Sequence, residues 1–200
     1  MNSNFFEVLR PGLNTTFQDK GRFHMQHLGV TPGGCMDIDS FLIANALVGN
    51  PSNEGVLEFA YQGPLLKLIK GETKIAITGS VLFQIIKSNK EIIAGECNRT
   101  YSLNEGDKVD ILATKHSAYG YLSTEGGFNI KPFCKSVSVL SRAEIGSNDG
   151  KKIKIKDKIN IKTNRKNKKI YYTKVLKHNK KVIRVLKGPQ FDYFSKESQK

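Results

Sequence analysis

The chain has 200 residues, of which 38% are hydrophobic and 25% are charged, and this composition is typical of a soluble globular protein. Its length is sufficient for one well-filled domain or for two small ones. No apolar run approaches the roughly 20 residues that a membrane helix needs, and the N-terminus lacks the features of a secretion signal. We therefore expect a cytoplasmic protein that does not span a membrane.

The net charge of +14 is concentrated in the last quarter of the chain. Residues 1 to 150 carry 14 Lys and Arg against 15 Asp and Glu, whereas residues 151 to 200 carry 18 against 3. Such a basic run can bind nucleic acid through phosphate contacts. Its cations are mostly lysines with few aromatic neighbours, so a solvated lysine-rich surface is favoured over a nucleic-acid partner.

Short β-type runs bounded by turn residues dominate the first 125 residues. They lie, in chain order, at residues 5 to 9, 55 to 61, 65 to 69, 74 to 78, 81 to 87, 91 to 94, 99 to 103, 108 to 113 and 118 to 123. This regular spacing predicts a mainly β fold, either a barrel or a sandwich.

One helix is predicted between the first run and the others. Asp37 or Asp39 can cap its start, residues 41 to 48 form a mostly apolar body, and Gly49-Asn50-Pro51 ends it. Because nearly every side of this helix is apolar, we expect it to lie deep against the sheet or at the end of a barrel.

The last part of the chain is less regular and carries most of the lysines. Strand-like segments recur at residues 169 to 174 and 181 to 186. So short a set cannot close a barrel by itself and would leave an exposed edge. We predict a β-barrel unit in residues 1 to 146 and the lysine-rich start of a second, truncated β unit in residues 147 to 200.

Residues 15 to 37 are the segment most typical of a functional site. They combine amide, carboxylate, guanidinium and imidazole groups with four glycines, in an order too irregular for a helix or a strand. The side chains expected to converge are those of Gln18, Asp19, Arg22, His24, His27 and Asp37.

Cysteine usage gives no indication of a metal site. Cys35, Cys97 and Cys134 lie far apart, without paired spacing of the zinc type, so reduced thiols are expected. Cys35 could act as a nucleophile, but no neighbouring base can be identified, and we assign it no role.

The order of motifs along the chain resembles that of one known family. The motifs are Pro11-Gly12-Leu13, residues 15 to 22, residues 26 to 30, Met36-Asp37, Ala44-Asn45, residues 48 to 51, Leu57-Glu58, Gly63-Pro64, residues 76 to 79, Tyr121-Leu122, Gly126-Gly127, Ser141-Arg142 and Gly188-Pro189-Gln190. They are similar to those of the biotin-dependent carboxyltransferase family, also called allophanate hydrolase subunit 2, which includes the C subunit of bacterial ATP-dependent 5-oxoprolinase. The resemblance implies cyclophilin-like β-barrel units, in agreement with the strand pattern.

By the same resemblance, the chain is a hydrolase subunit of a hetero-oligomeric 5-oxoprolinase that opens the 5-oxoproline lactam to glutamate. It implies inactivity without a partner similar to allophanate hydrolase subunit 1. ATP, with or without Mg²⁺, would bind here or at the partner interface, since the sequence has no P-loop. There is also no Met-Lys-Met segment for covalently attached biotin, so biotin would arrive on another chain.

Three departures from the family pattern bear on activity more than on fold. Members are usually longer, so this chain resembles one that lacks most of its second unit. The glycine-rich stretch of the family, around residues 141 to 157, here holds Ser, Asn, Asp and Lys among its glycines. Ser80 and Val81 stand where the family commonly has a small residue and a carboxylate.

Opening a lactam with ATP requires a cation for substrate and phosphoryl charge. Arg22 is the candidate, because its planar fork matches an oxyanion better than the ammonium of Lys20 does. The alternative is that Arg22 pairs with Asp19 or Asp37 and only fixes the loop.

The reaction also requires a carboxylate that places a metal or moves a proton, and the candidates are Asp19, Asp37 and Glu58. Strand alternation puts Glu58 on the face opposite Leu57 and Phe59. A solvent-facing Glu58 is the alternative.

The candidate substrate-binding residues are Gln18, His27, Asn50 and Arg142. The amides of Gln18 and Asn50 can donate to and accept from a lactam, although Asn50 is also an ordinary helix-stop residue. Since no third ligand accompanies His24 and His27, hydrogen bonding is favoured over metal binding.

Two other functions stay open. One is a biotin-dependent carboxyltransferase or allophanate-type subunit of a urea pathway. The other is a non-catalytic regulator, as implied by a relative that antagonises an inhibitor of a sporulation kinase and would act by complex formation alone.

Overall fold

In the computed structural model, which describes residues 4 to 162, 170 to 174 and 185 to 199, eleven strands form two antiparallel sheets. The strands are β1 (Phe5–Arg10), β2 (Asn14–Gln18), β3 (Val56–Ala60), β4 (Leu65–Lys70), β5 (Glu72–Gly79), β6 (Val81–Ile86), β7 (Ile92–Ala94), β8 (Arg99–Asn104), β9 (Lys108–Thr114), β10 (Tyr119–Thr124) and β11 (Lys158–Asn160). The order is β11-β1-β4-β9-β6-β7 in the first sheet and β2-β3-β10-β5-β8 in the second. The predicted mainly β fold is confirmed.

The two sheets enclose one apolar core. Alternate residues of each strand point inward, because successive side chains of a strand lie on opposite faces. The buried residues include Phe6, Val8, Leu66, Leu68, Phe83, Val109 and Ile111 from the first sheet, and Phe17, Leu57, Phe59, Ile75, Ile77, Leu103 and Leu122 from the second. Each such side chain removed from water favours folding by about 1.5 to 3 kcal/mol.

The segment at residues 15 to 18 differs from the sequence-based expectation, because it belongs to β2 and not to an irregular loop. Phe17 points into the core, and Thr16 lies opposite Glu58 in the pairing with β3. The loop between β2 and the helix, residues 19 to 37, is called the polar loop below.

The predicted helix is α1 (Ile38–Leu47), which packs on the outer face of the second sheet. Phe41 and Ala44 are buried against Val56 and Tyr121, as expected for a helix that lies against the sheet. Asp37 is the cap, since its carboxylate accepts from the Ser40 N–H at 3.1 Å. Within the described ranges, no helix is long and apolar enough to cross a membrane. Short 3₁₀ helices occur at Gln26–Leu28, Asn148–Gly150 and Phe191–Tyr193.

Residues after 146 contribute to both sheets. β11 pairs with β1, and Ile153, Ile159 and Ile161 are buried in the common core. Residues 170 to 174 run along β8, where the Thr100 N–H donates to the Tyr171 carbonyl at 2.9 Å. The predicted strand at residues 181 to 186 lies largely outside the described residues, and the second, truncated β unit stays a prediction.

Candidate functional site

The carboxylate of Asp19 fixes the start of the polar loop. Its Oδ1 accepts hydrogen bonds from the Gly21 N–H at 2.8 Å, the Ser136 hydroxyl at 2.7 Å and the Ser138 hydroxyl at 2.8 Å. Its Oδ2 accepts from the Val137 N–H at 2.8 Å. Asp19 is buried, and these four donors compensate the water that its charge loses on burial. The carboxylate therefore joins the polar loop to residues 136 to 138.

Glycines allow the two ends of the polar loop to lie against each other. A Cβ on Gly21 would approach the carbonyl oxygens of both Pro32 and Gly33 to 2.8 Å, and the φ of Gly21 is +95°. The Arg22 N–H donates to the Pro32 carbonyl at 2.8 Å across this junction. A residue with a side chain at position 21 would force the two ends apart.

Arg22 is buried without an ion-pair partner. Its Nη2 donates to the Ser138 carbonyl, its Nη1 lies 3.5 Å from the Thr31 carbonyl, and the guanidinium carbon lies 5.8 Å from the centre of the Phe133 ring. None of the ion pairs among the described residues includes Arg22. The alternative that Arg22 pairs directly with Asp19 or Asp37 is therefore wrong.

Glu58 and Tyr121 hold the other end of the polar loop on the sheet. The Met36 N–H donates to Glu58 Oε2 at 2.7 Å, and the Asp37 N–H donates to the Tyr121 hydroxyl at 2.7 Å. The two side chains are opposite each other in the β3–β10 pairing, and the Tyr121 hydroxyl hydrogen-bonds to the Glu58 carboxylate.

Glu58 lies on the predicted face of β3, but the loop covers it. The alternative of a solvent-facing Glu58 is wrong, because the side chain is buried. Burial raises the pKa of Glu58, while the hydrogen bonds from Met36 and Tyr121 lower it and the charge of Asp37 raises it. A buried carboxyl group with a raised pKa is typical of a site that moves protons.

Cys35 lies among the three candidate carboxylates. The pKa of its thiol is raised to about 11, first by burial and then by the negative charges of Glu58, Asp37 and Asp19, against a backbone hydrogen bond that lowers it. The thiol therefore stays protonated near neutral pH and is a poor nucleophile. Its backbone N–H donates to the Asp19 carbonyl at 2.9 Å, which joins the two ends of the site.

Gln18 belongs to the same site as Arg22, since it contacts Val139, the neighbour of the Ser138 whose carbonyl binds Arg22. Its Nε2 donates to the Val139 carbonyl and to the Thr16 hydroxyl, both at 2.9 Å. Its buried Oε1 has no hydrogen-bond partner among the described residues. Gln18 can thus accept one further hydrogen bond.

Asn50 lies elsewhere, at the end of α1. Its amide donates to the Thr124 carbonyl and accepts from the Gly126 N–H, both at 2.8 Å. The side chain thus joins the helix to the end of β10.

Three further predicted residues lie at the surface. His24 and His27 are exposed in the polar loop, His27 on its 3₁₀ helix, and Arg142 is exposed in the turn that follows Ser141. In this conformation the two imidazoles therefore do not converge with the buried groups of the site.

Tyr121, Ser136 and Ser138 are site residues that the sequence did not reveal. Tyr121 could have been found from strand alternation, because it occupies the face of β10 opposite the core residue Leu122. The described residues contain no group of three His, Cys, Asp or Glu side chains arranged to hold a metal ion.

Comparison with known proteins identifies the family. The family model described as carboxyltransferase domain, subdomain A and B, matches residues 28 to 200. The chain therefore belongs to the carboxyltransferase domain family. It is 28% identical over 194 residues to the C subunit of 5-oxoprolinase from Escherichia coli (strain K12), and 34% identical over 153 residues to urea amidolyase of Lachancea kluyveri.

Solved structures show the same fold. TTHA0988 has a TM-score of 0.81 and 28% identity, with 94% of this chain and 68% of that chain covered. The urea amidolyase of K. lactis has a TM-score of 0.72 and 33% identity, with 80% and 9% covered.

The chain matches only part of its curated relatives. The similarity covers 96% of this chain and 61% of the E. coli protein, and 76% of this chain and 8% of the L. kluyveri enzyme.

Replacing Asp19 by Asn should destabilise the fold. One carboxylate oxygen becomes an NH₂ group that faces a donor, so buried N–H or O–H groups lose their acceptor, at a cost of about 3 kcal/mol. Urea unfolding measures the change. Asp39→Asn is the matched control, because Asp39 is exposed in the first turn of α1. Equal stability of the two variants would contradict the structural role of Asp19.

Replacing Glu58 by Gln should change how stability depends on pH. Because the pKa of Glu58 is raised in the folded state, folding favours its protonated form, and this contribution is lost as the pH rises above 4.5 through the folded-state pKa. The free energy of unfolding of Glu58→Gln, relative to the unmodified chain, should therefore increase with pH over this range. Denaturant unfolding at several pH values tests this, and a relative stability that falls with pH would contradict it.

Proposed function

We propose that this chain is a subunit of a hetero-oligomeric, ATP-dependent hydrolase of the 5-oxoprolinase type, inactive until a partner subunit joins it. The observation that carries the proposal is that the polar loop contacts two unusual groups, one cationic and one acidic. Arg22 offers a buried positive charge, and Glu58 offers a buried carboxyl group whose pKa is raised. The similarity to the C subunit of 5-oxoprolinase over 96% of the chain supports this choice of reaction.

Each side chain of the site then has a distinct task. Arg22 holds the negative charge of the substrate, because its guanidinium presents several donors in a rigid fork. The free Oε1 of Gln18 accepts the N–H of a lactam. Glu58 moves a proton, since a raised pKa brings a carboxyl group closer to working pH.

Asp19 and Asp37 are positioning residues in this proposal. The carboxylate of Asp19 is occupied by four donors, and that of Asp37 accepts from both the N–H and the hydroxyl of Ser40. The buried carboxylate of Asp19 is not available to a substrate without breaking the loop, whereas that of Asp37 caps α1. His27 and Arg142 stay predictions as substrate-binding residues.

ATP supplies the phosphoryl group that activates the lactam oxygen in this type of reaction. The described residues do not form a complete triphosphate site. Arg22 is the single buried Lys or Arg side chain among them, and no P-loop precedes α1. We therefore assign ATP and its Mg²⁺ to the partner or to the interface with it.

A carboxyltransferase acting with a biotinylated carrier is the second candidate. It is supported by the identity of 34% to urea amidolyase over 76% of this chain. Activity that depends on a biotinylated carrier and not on 5-oxoproline would favour this candidate.

The test is to purify the chain with the products of neighbouring genes and to measure ADP release that depends on 5-oxoproline. The complex should release ADP and the chain alone should not. Arg22→Ala should lower the activity of the complex by more than about tenfold, because the substrate charge loses its fork of donors.

Arg99→Ala is the matched control, since Arg99 is exposed on β8 and should leave activity unchanged. Rapid ADP release by the chain alone would contradict dependence on the partner. Normal activity of Arg22→Ala, with a large fall in melting temperature, would show that Arg22 only braces the loop.

A further inference from the structure

The positive charge of Arg22 lacks a counter-charge at contact distance. The side chain is 2% exposed, and among the described residues no other Lys or Arg is buried to this extent. A guanidinium has five N–H donors, but those of Arg22 reach only two carbonyls, one of them at 3.5 Å. Its Nε has no hydrogen-bond partner in the described part of the chain. A buried cation without a counter-charge raises the free energy of the folded protein, and an anion bound beside Arg22 would lower it.

Asp19 does not supply the counter-charge that Arg22 lacks. Its carboxylate is linked to Arg22 only indirectly, because the Ser138 hydroxyl donates to Asp19 while the Ser138 carbonyl accepts from Arg22. The Asp19 carboxylate accepts four hydrogen bonds, all from other donors, and neither of its oxygens accepts a hydrogen bond from Arg22.

Residues 23 to 31, here called the lid, follow Arg22 directly, and the Thr31 carbonyl lies 3.5 Å from Arg22 Nη1. The lid has few attachments to the rest of the protein. The hydrogen bonds from Leu28, Gly29 and Val30 all end on Met25 or Gln26, within the lid itself. In the described structure, the lid is hydrogen-bonded to the rest of the protein only through Arg22 Nη1 and the Thr31 carbonyl.

The lid also contributes little to the apolar core. Phe23 is 58% exposed and Leu28 is 66% exposed, and all three residues of the 3₁₀ helix Gln26–Leu28 are exposed. Little buried area therefore opposes its movement.

Both ends of the lid are flanked by glycines in conformations that side chains rarely adopt. Gly21 has a φ of +95°, Gly33 of +63° and Gly34 of +106°. Glycine can change φ over a wide range at low cost, so these positions can act as hinges. A Cβ on Gly33 would lie 3.2 Å from Arg22 Nη1, which shows how closely the second hinge covers the guanidinium.

We propose that Arg22 is a binding site for a ligand carboxylate, closed in this conformation, and that the lid at residues 23 to 31 moves on the glycine hinges to admit it. The proposal deepens the function above and rests on it for the choice of a carboxylate. The Nε–H and a neighbouring Nη–H of a guanidinium are parallel donors, which match the two oxygens of a carboxylate.

Titration calorimetry with two matched lactams tests the site. The probes are 5-oxoproline and 2-pyrrolidinone, which has the same ring without the carboxylate, and inorganic phosphate is a third probe. The titrations use the full chain and, where a complex forms, the complex. We expect 5-oxoproline to bind at least about tenfold more tightly than 2-pyrrolidinone, because a site built for a charged group rejects an analogue that lacks it.

Variants and hydrogen exchange test the residue and the lid. Arg22→Lys keeps the charge but not the fork, and should weaken binding of 5-oxoproline by about tenfold. Arg22→Met should remove the preference for the carboxylate. In the unmodified chain, 5-oxoproline should slow exchange of the amides of residues 23 to 31, and it should not do so in Arg22→Met.

The possible results distinguish the carboxylate site at Arg22 from the proposed 5-oxoprolinase function. Equal binding of the two lactams, tighter binding of phosphate, or an undiminished preference in Arg22→Met would overturn the carboxylate site. Absence of 5-oxoproline binding in both chain and complex would also overturn it. Turnover of 5-oxoproline by a complex whose KM is unchanged in Arg22→Met would overturn the site and leave the function in place. Carboxylate binding by the complex without turnover of 5-oxoproline would support the site and contradict the function.

Discussion

The site depends on one buried acid, Asp19. Its four donors come from Gly21 and from residues 136 to 138, which are more than 100 positions away in the sequence. A buried carboxylate must keep its donors, so the chain after β2 is held against this distant segment. That contact places Arg22 beside Ser138, and the turn at Gly21 returns the chain to Cys35 and α1.

Local patterns were sufficient to predict the helix and nine of the eleven strands, all but β2 and β11. Strand alternation correctly placed Glu58 on the face opposite Leu57, because side-chain direction in a strand depends only on the backbone. The cap at Asp37 was among the two options predicted, since capping involves residues three positions apart. β2 was missed because its sequence, Asn14 to Gln18, is mostly polar and its burial depends on pairing with β3 and on the segment at 137 to 139.

The contacts of the site could not be predicted in the same way. Arg22 lies three residues from Asp19 in the sequence, and an ion pair between them stayed open as an alternative, but the fold directs the two side chains to different atoms of Ser138. Glu58 meets Tyr121 only because β3 and β10 pair in one register. Asn50 was assigned to substrate, whereas its amide is occupied at the end of β10. These outcomes depend on long-range pairing, which a single sequence does not display.

Asp19 holds the polar loop closed and so keeps Arg22 buried and without an ion-pair partner. The most direct measurement is the exchange rate of the Arg22 Nε–H by nuclear magnetic resonance, compared with that of the exposed Arg99. We expect the Arg22 proton to exchange at least about tenfold more slowly than that of Arg99, and the difference to disappear in Asp19→Asn. Equal exchange rates at the two arginines in the unmodified chain would contradict the claim.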